Sequence, residues 1–594
     1  MGRKYFVARI IIASVILLLI LISLIIRMYH VQIDRHDELF EKAKNTYTST
    51  VKKEGKRGEI YDINGNLLVG NKPCVNIAAD PGEIGDSIKC RELAEYLHKM
   101  LDVDYDNIYR RLSTKVNEAN GKDIRYVIIK KEVELELGER IRHDVKLKKY
   151  KGVIFENKTK RFYPKNKLVA NILGFINIDG NKVVPEGGIE RTVNTNVTPT
   201  ASVSEIERTR KGIRLSGEEE KLKAVQDGNN VYLTISEPIQ MIVEDELDKL
   251  MLQFNPDAAY AVMADPYTGN IIAMAQRPSF DPNDRTKMDP KAWRNRITED
   301  SFEPGSIMKS TIVSAALDMG FVNPDTKIDC EGGHWLFSGR ILSEAAGHGH
   351  NIISVTDIIR VSSNIGTAKI AVMMGKKNVY DTIRKFGFGQ KSGIPLKPES
   401  VGLMLKPEKW DGLTISRYPI GQGFTVTPLQ MVRAYCALAN GGKLVDLRLI
   451  DRQKNPATGE EIKMEILQPL GSIFKNPNTR KKIVDMMKLV TKKGGTAEKA
   501  GVKGYEVAGK TGTAQKVIDG VYSNTQHVAS FVGFVPADKP AFVMLVTVDE
   551  PKLKSYYGGV VAAPAFNHIA KKALRIMNIP TEYEVPEEEE EDDL

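Results

Sequence analysis

One uninterrupted apolar stretch stands out in the hydropathy pattern near the amino terminus. Between Arg9 and Arg27 the chain reads IIIASVILLLILISLII without a charge. Together with the apolar residues just before Arg9, about 20 residues are long enough to cross a bilayer. Because no small-x-small cleavage site follows, the stretch predicts an uncleaved signal anchor rather than a removed signal peptide. Arg3, Lys4 and Arg9 crowd its short leading side, which favours a cytoplasmic amino terminus and an external remainder.

Beyond the anchor, the pattern changes to short alternating runs separated by polar segments. Residues 27–50 predict a polar helical stalk, and Asn64 and Gly65, set between alternating apolar runs, predict a β-hairpin. Short strand-like runs and Lys/Glu-rich helical stretches fill residues 57–230, within which residues 195–212 predict a loop. This part therefore reads as an elongated α+β region.

From residue 231 the periodic pattern becomes tighter. AAYAVMADPYTGNIIAMA predicts a hairpin, and helices are predicted from Ser306 to Gly320, after Ser354, and after Thr427. The runs YEVAGKTGTAQK, HVASFVGFVP and AFVMLVTVDE predict three strands, and AAPAFNHIAKKALRIMNI predicts a helix with one apolar face. Strands from both ends of this region should share one mostly antiparallel sheet with helices packed against it.

The chain has 594 residues, too many for one hydrophobic core, so we expect an α/β, multi-domain protein. The pattern divides it into residues 1–28 (cytoplasmic tip and transmembrane anchor), 29–230 (the α+β region), 231–578 (the sheet-and-helix region) and 579–594. The last segment holds PEEEEEDDL and is predicted to be disordered by composition.

Charge and cysteine content change this outline little. The net charge is +9, but residues 581–594 carry nine acidic and no basic side chains, so residues 1–580 carry +18. A basic body can face anionic lipid or anionic wall polymer, or be a merely soluble surface. The scattered Lys and Arg, with no zinc-finger spacing, argue against a nucleic-acid partner. Four widely spaced cysteines suggest a fold that does not depend on disulfides.

Three short motifs with reactive side chains follow one another in the region from residue 231. They are Ser306-Ile-Met-Lys309, Ser362-Ser363-Asn364 and Lys510-Thr511-Gly512-Thr513. If a helix begins at Ser306, the hydroxyl and the Lys309 amine lie one turn apart on one face, where the amine can take the proton of an attacking serine. Each motif alone also has a chance or structural explanation, so their order and their contexts carry the interpretation.

With this trio the chain resembles the penicillin-binding proteins, and more closely their class B, the monofunctional D,D-transpeptidases. RGEIYDINGN is similar to the signature of the class B pedestal domain, with Ile63 where arginine is usual, and VYLTISEPIQ to the entry of the catalytic domain, with Ser236 replacing an aspartate. RFYPKNKLVANILGFIN, GGIE, GQGFTVTPLQMVRAYCALANGG and FVGFVPADKPAF also match. NIAADPGEI and YYGGVVAAPAF resemble the cell-division enzyme more than the elongation enzyme.

The resemblance implies a role for each motif residue. Ser306 would be the acylated nucleophile, Lys309 its base and Ser362 the relay of a proton to the leaving amine. Asn364 would hold a substrate amide, and Lys510, Thr511 and Thr513 would bind the terminal carboxylate. Gly512 would allow close approach of the strand, and the N–H groups of Ser306 and Thr513 would form the oxyanion hole.

The resemblance further implies cross-linking of pentapeptide stems in nascent peptidoglycan, covalent inhibition by β-lactams, and no cofactor. A single-pass enzyme of the cytoplasmic membrane would work beside a glycosyltransferase of the SEDS type and other division proteins. The alternatives are an elongation or sporulation transpeptidase, a β-lactamase or β-lactam sensor of the same fold, a bifunctional synthase, and a non-catalytic scaffold. The membrane anchor, the pedestal and the intact trio of motifs count against the β-lactamase or sensor, the bifunctional synthase and the non-catalytic scaffold.

A possible zinc site lies between the first two motifs. Cys330, His334, His348 and His350 carry ligand atoms, but their spacing is irregular and AAGHGHN reads as a glycine-rich loop. No metal is therefore expected.

Overall fold

The computed structural model describes residues 2–584, apart from 180–181, 208–224, 287–288, 346–348, 468 and 470. Their contacts divide into two compact units, residues 1–57 with 199–228, and residues 58–198 with 229–594. Of the predicted acidic tail, residues 585–594 lie outside the described residues.

The α-helices of the described residues are, in chain order, α1 (Gly2–Tyr29), α2 (His36–Tyr47), α3 (Pro81–Ile84), α4 (Ser87–Leu101), α5 (Tyr105–Ser113), α6 (Leu135–Leu147), α7 (Ala170–Leu173), α8 (Gly188–Thr192), α9 (Asn194–Val197), α10 (Glu237–Phe254), α11 (Pro290–Trp293), α12 (Arg296–Glu299), α13 (Lys309–Asp318), α14 (Val355–Arg360), α15 (Asn364–Lys385), α16 (Thr414–Arg417), α17 (Pro428–Ala439), α18 (Thr479–Val490) and α19 (Gly558–Ile576).

The strands of the same residues are β1 (Thr48–Glu54), β2 (Ile60–Tyr61), β3 (Leu67–Ala79), β4 (Val127–Glu134), β5 (Val153–Phe162), β6 (Phe175–Asp179), β7 (Lys182–Glu186), β8 (Ala201–Glu207), β9 (Asn230–Leu233), β10 (Ala258–Ala264), β11 (Ile271–Arg277), β12 (Lys327–Asp329), β13 (His334–Phe337), β14 (Arg340–Ser343), β15 (Ile352–Ser354), β16 (Ile450–Lys454), β17 (Glu461–Lys463), β18 (Ala508–Ile518), β19 (Val521–Val535) and β20 (Phe542–Asp549).

The smaller unit contains the predicted anchor and stalk. The helical segment Gly2–Asp34 is long and apolar enough to cross a membrane, and α2 continues the stalk as far as Tyr47. There the chain turns into β1, which pairs antiparallel with β8. The loop predicted for residues 195–212 is therefore wrong over Ala201–Glu207 and also over residues 195–197, which belong to α9. Residues 208–212 lie outside the described residues. The strand is missed because its partner is some 150 residues away in the chain, where no local pattern can reveal it.

The hairpin predicted at Asn64 and Gly65 is confirmed, and it joins β2 to β3. Gly65 has a φ of 90°, and Asp62 Oδ1 accepts hydrogen bonds from the backbone N–H groups of Asn64 and Asn66 at 2.9 and 2.7 Å. The second oxygen of Asp62 accepts the N–H of Glu237, in the first turn of α10, at 3.0 Å. One buried carboxylate thus ties the hairpin to the first helix of the sheet-and-helix region.

The sheet expected in the carboxyl-terminal region is confirmed, with five antiparallel strands in the order β11-β10-β20-β19-β18. Every residue of β10 is buried, because helices cover both faces and leave no solvent-facing side. Contacts with α10, α17 and α19 supply this cover. The motif strand β18 lies at the sheet edge.

A second, seven-stranded sheet crosses the sequence boundary at residue 231. Its order is β17-β16-β9-β2-β3-β4, with β5 on β3. Strands β16 and β17 come from residues 450–463, so the two regions share one sheet and one continuous hydrophobic core.

Three helix starts in the sheet-and-helix region follow the predicted signals. Thr427 caps α17 in a complete capping box with Gln430, and Ser354 Oγ accepts the N–H of Asp357 at the start of α14. The helix predicted from Ser306 begins as a 3-10 turn, Gly305–Met308, before α13.

Candidate active site

The structure places Ser306 in the 3-10 turn that leads into α13. The N–H of Gly305 donates to the carbonyl oxygen of Gly421 at 3.0 Å, and the carbonyl oxygen of Ile307 accepts the Tyr435 hydroxyl at 2.8 Å. Ile307 is buried, whereas Ser306 stays partly exposed. Bonds on both sides therefore fix the turn while its serine remains accessible.

Lys309 follows one turn later and is fully buried. Its Nζ lies 2.5 Å from the carbonyl oxygen of Ser362, 3.3 Å from Ser362 Oγ and 2.7 Å from Asn364 Oδ1. Burial lowers the pKa of Lys309 to about 7, although the Glu344 carboxylate acts in the opposite direction. Near neutral pH a large fraction of this amine is uncharged and able to accept a proton.

Ser362 lies between α14 and α15 in the left-handed region, with a φ of 62°. A non-glycine residue in this conformation costs on the order of 1 kcal/mol, and such residues cluster at functional sites. Here it lets both the carbonyl oxygen and the hydroxyl of Ser362 face Lys309 Nζ. Residues of the second motif thus contact the Lys309 amine of the first motif through both Ser362 and Asn364.

Glu344, which the sequence analysis did not identify, accepts hydrogen bonds from the second motif and from the first turn of α15. Its Oε1 accepts the Ser363 hydroxyl at 2.5 Å and the Ile365 N–H at 3.3 Å, and its Oε2 accepts the Asn364 N–H at 2.6 Å. A carboxylate at the first N–H groups of α15 also suits the helix dipole. Glu344 stands about 20 residues from the motif, and no spacing rule marks it.

Lys510 lies on β18 and is also fully buried. Its Nζ is 3.3 Å from the carbonyl oxygen of Thr511 and 3.4 Å from Thr511 Oγ1. Burial holds the pKa of Lys510 well below its usual range, and the charge of Lys309 lowers it further. Burial and the neighbouring Lys309 therefore both disfavour the charged form of Lys510.

The third motif runs directly against the serine turn. A Cβ at Gly512 would lie 3.1 Å from Ile307 Cγ2 and 3.2 Å from the Pro304 carbonyl oxygen, so a larger residue would push the strand away. Thr513 Oγ1 accepts the N–H of Gly558 at 3.1 Å. This contact leaves the hydroxyl hydrogen of Thr513 free to donate.

Thr511 has a partner that sequence reasoning also missed. Its Oγ1 is 2.8 Å from Thr496 Oγ1, and a Cβ at Gly559 would lie 2.1 Å from the Thr496 carbonyl oxygen. The Thr511 hydroxyl thus lies between Thr496 and the Lys510 amine. The three motifs meet at one site, which brings together a partly exposed serine, an amine of lowered pKa and threonine hydroxyls.

Two of the four residues considered for zinc, Cys330 and His334, make other contacts. Cys330 is buried with its Sγ 3.4 Å from Ser363 Oγ, and His334 Nδ1 is 3.1 Å from Ser343 Oγ. His348 lies outside the described residues. Within the part of the chain that the structure describes, no group of three or more His, Cys, Asp or Glu side chains is arranged to hold a metal ion.

Two family models match the chain. Residues 259–571 match the penicillin binding protein transpeptidase domain, and residues 52–233 match the penicillin-binding protein dimerisation domain.

Curated relatives match over nearly the full length. Stage V sporulation protein D of Bacillus subtilis is 31% identical over 94% of this chain and 84% of its own. Peptidoglycan D,D-transpeptidase FtsI of Escherichia coli is 30% identical over 95% of this chain and 91% of its own. Among solved structures, penicillin binding protein 2X from Streptococcus thermophilus superimposes with a TM-score of 0.74 at 25% identity, covering 89% of this chain and 80% of that one.

Proposed function

This chain belongs to the class B penicillin-binding proteins, the peptidoglycan D,D-transpeptidases, and on that basis we propose that it cross-links the septal wall through an acyl-serine intermediate. The observation that carries the mechanism is the environment of the Lys309 amine. Its amine is buried, has a pKa of about 7 and contacts Ser362 and Asn364 beside the Ser306 turn.

In the acylation step, neutral Lys309 takes the proton of Ser306 as Oγ attacks the carbonyl carbon of the fourth stem residue. The N–H groups of Ser306 and Thr513 would stabilise the oxyanion. Ser362 relays the proton held by Lys309 to the nitrogen of the departing D-alanine, and the C–N bond breaks, which returns Lys309 to its neutral form. Lys510, Thr511 and Thr513 bind the terminal carboxylate, and Asn364 holds a stem amide.

In the second step the amine of a neighbouring stem attacks the acyl-enzyme carbonyl. The Ser362–Lys309 pair takes the amine proton, the ester C–O bond breaks, and Ser306 Oγ recovers a proton. A new amide joins the two stems. A β-lactam would imitate the donor stem but leave a slowly released acyl-serine.

Labelling with a fluorescent penicillin tests the acyl-serine mechanism. We expect rapid covalent labelling of the detergent-solubilised chain and slow release of the label. Rapid turnover of the β-lactam would instead identify a β-lactamase, and absence of any covalent adduct would refute the mechanism.

The septal assignment is supported by the motifs NIAADPGEI and YYGGVVAAPAF. In this role the enzyme would be held in the cytoplasmic membrane by its anchor, with the catalytic domain outside, next to a SEDS-type glycosyltransferase and other division proteins. A sporulation role is the second candidate, because the relative named Stage V sporulation protein D matches 94% of the chain at 31% identity.

Depletion combined with a fluorescent fusion separates these roles. A septal enzyme should gather at midcell, and its loss should produce filaments with intact side walls. Normal vegetative division with a defect confined to sporulation would assign the second role. Rounded, widened cells would assign the elongation role, and in both cases the septal proposal would fail.

A further inference from the structure

A cleft lies away from the three motifs, between residues of the segment that matches the dimerisation domain and residues of the segment that matches the transpeptidase domain. Its volume is about 420 Å³, within the range of ligand-binding clefts. Asn171, Glu186 and Arg191 line it from the segment that matches the dimerisation domain, and Trp293 and Lys397 line it from the transpeptidase side. We call it the Trp293 cleft.

An aromatic side chain forms one wall of the Trp293 cleft. The Trp293 indole is 41% exposed, yet it is held from behind by Phe175, with ring centroids 5.7 Å apart. Phe175 in turn packs edge-on against Phe280 at 5.9 Å, and the Arg285 guanidinium lies 5.3 Å from its ring centre. A large apolar ring is therefore fixed in contact with water, ready to pack against a flat ligand.

The polar lining favours an anionic ligand. The exposed side chains of Arg191 and Lys397 make no ion pair or hydrogen bond with any described residue. Both lining carboxylates make local hydrogen bonds, Glu186 with the Asn177 amide at 3.2 Å and Glu299 with the Asn295 N–H at 3.1 Å, and both keep their charge. The lining therefore carries three cations against two carboxylates.

Arg294, the third cation of the lining, lies 2.6 Å from Asp300 Oδ1 and is 3.8 Å from Glu299. Two uncommitted positive charges thus remain beside a fixed aromatic face. Carboxylates would pair with the charges, and the C–H face of a sugar ring would cover the indole.

The rim of the cleft is close to Ser306 along the chain. Its residue Glu299 is seven residues before Ser306, a span of at most about 25 Å when fully extended. A five-residue stem extends for about 17 Å, so a stem on a ligand in the cleft would cover most of even this largest separation.

We propose that the Trp293 cleft binds the glycan backbone of the donor strand, a polymer of N-acetylated amino sugars that bear carboxylate-containing stems. This inference rests on the proposed transpeptidase function. Sugar rings pack on Trp293, stem carboxylates pair with Arg191 and Lys397, and the strand is held while one of its stems reaches Ser306.

The test uses the full-length chain in detergent, and the probe is a soluble, uncross-linked tetrasaccharide–peptide fragment of peptidoglycan. We expect calorimetry to show binding to wild type, at least tenfold weaker binding to Trp293→Ala, and partial recovery in Trp293→Phe. Arg191→Glu, an exposed substitution that leaves the aromatic packing intact, should also weaken binding tenfold. Lys376→Glu, a matched charge reversal on α15 outside the cleft, should bind like wild type.

Fluorescent penicillin labelling in parallel separates the two proposals. All these variants should label at the wild-type rate, because the cleft lies outside the three motifs. If wild type labels but the fragment fails to bind, or binds Trp293→Ala and Arg191→Glu as tightly as wild type, the cleft assignment is wrong. Equal weakening by Lys376→Glu would also overturn it, and failure of wild type to label would refute the proposed function itself.

Discussion

At the scale of single residues, Lys309 and Lys510 owe their chemistry to where they lie. Both are fully buried, and an ammonium without water around it loses its charge more easily. The Lys309 amine has three oxygen contacts, from Ser362 and Asn364, whereas the Lys510 amine hydrogen-bonds only to Thr511 within the described residues. The two lysines should therefore respond differently to substitution and to pH.

The rate of acylation should follow the ionisation of Lys309. The proposed base is the neutral amine, and its pKa is lowered to about 7, so the rate with benzylpenicillin should rise through about pH 7 and level off above it. Below that range it should fall about tenfold per pH unit. Stopped-flow fluorescence measures the profile, and a rate still climbing through the ordinary lysine range near pH 10 would contradict the base assignment.

Arginine substitutions should separate the roles of the two lysines. Lys309→Arg should lower the acylation rate by about 10²–10⁴-fold, because a guanidinium does not give up its proton in proteins. Lys510→Arg keeps a positive charge for the carboxylate, so we expect a loss of only about tenfold. Similar losses for both substitutions in the same penicillin assay would remove the distinction.

Only Ser306 should form the covalent adduct. Ser306→Ala should abolish labelling by fluorescent penicillin with a melting temperature close to wild type, because the side chain is partly exposed and small. Ser301→Ala, an exposed serine five residues earlier, serves as the control and should label normally. Mass spectrometry that places the adduct on another serine would refute the assignment.

At the scale of elements, the second motif depends on a helix start that is capped from a distance. Glu344 follows β14 directly, and β14 pairs only with β13 in a short hairpin. From there its carboxylate reaches the first N–H groups of α15 and the Ser363 hydroxyl. The position of Asn364 at the start of α15 therefore depends on a hydrogen bond from the segment that follows β14.

Glu344→Gln should shift the pH profile of acylation. The Glu344 carboxylate raises the pKa of Lys309, so removing its charge should lower that pKa and move the rise in rate to lower pH. The amide still offers an oxygen to the helix start, which limits the structural loss to about 1–2 kcal/mol. An unchanged midpoint in the stopped-flow profile, with normal folding by circular dichroism, would show that Glu344 acts only as a cap.

At the scale of the whole molecule, one helix has no partner in the described chain. None of the residues of α1 is buried, and its 28 residues span about 42 Å, more than the hydrocarbon core of a bilayer. The catalytic region instead buries its apolar residues in a core continuous with the pedestal-like region. An apolar helix of this length that buries none of its residues in the protein fits a membrane anchor.

External protease should test the orientation of the anchor. In intact spheroplasts, protease should destroy a carboxyl-terminal tag and most of the chain, while an amino-terminal tag survives, because Arg3, Lys4 and Arg9 favour the cytoplasmic side. A cytoplasmic marker protein should remain intact as the control. Protection of the carboxyl-terminal tag would reverse the proposed topology.

The sequence by itself determined the features that depend on neighbouring residues. The apolar run of the anchor, the Asn64–Gly65 turn and the Thr427 cap each lie within a few positions, so local pattern and turn chemistry were enough to find them. The three motifs could also be recognised from the sequence, because their spacing and order carry the family resemblance.

Only the tertiary structure decided the features that join distant parts of the chain. The pairing of β1 with β8, the cap that Glu344 places on α15 and the Thr496–Thr511 contact bring together residues that are 15 to about 150 positions apart. Spacing in the sequence does not encode such contacts. The lowered pKa of Lys309 likewise arises from burial by several elements, and burial is a property of the packed molecule rather than of any one segment.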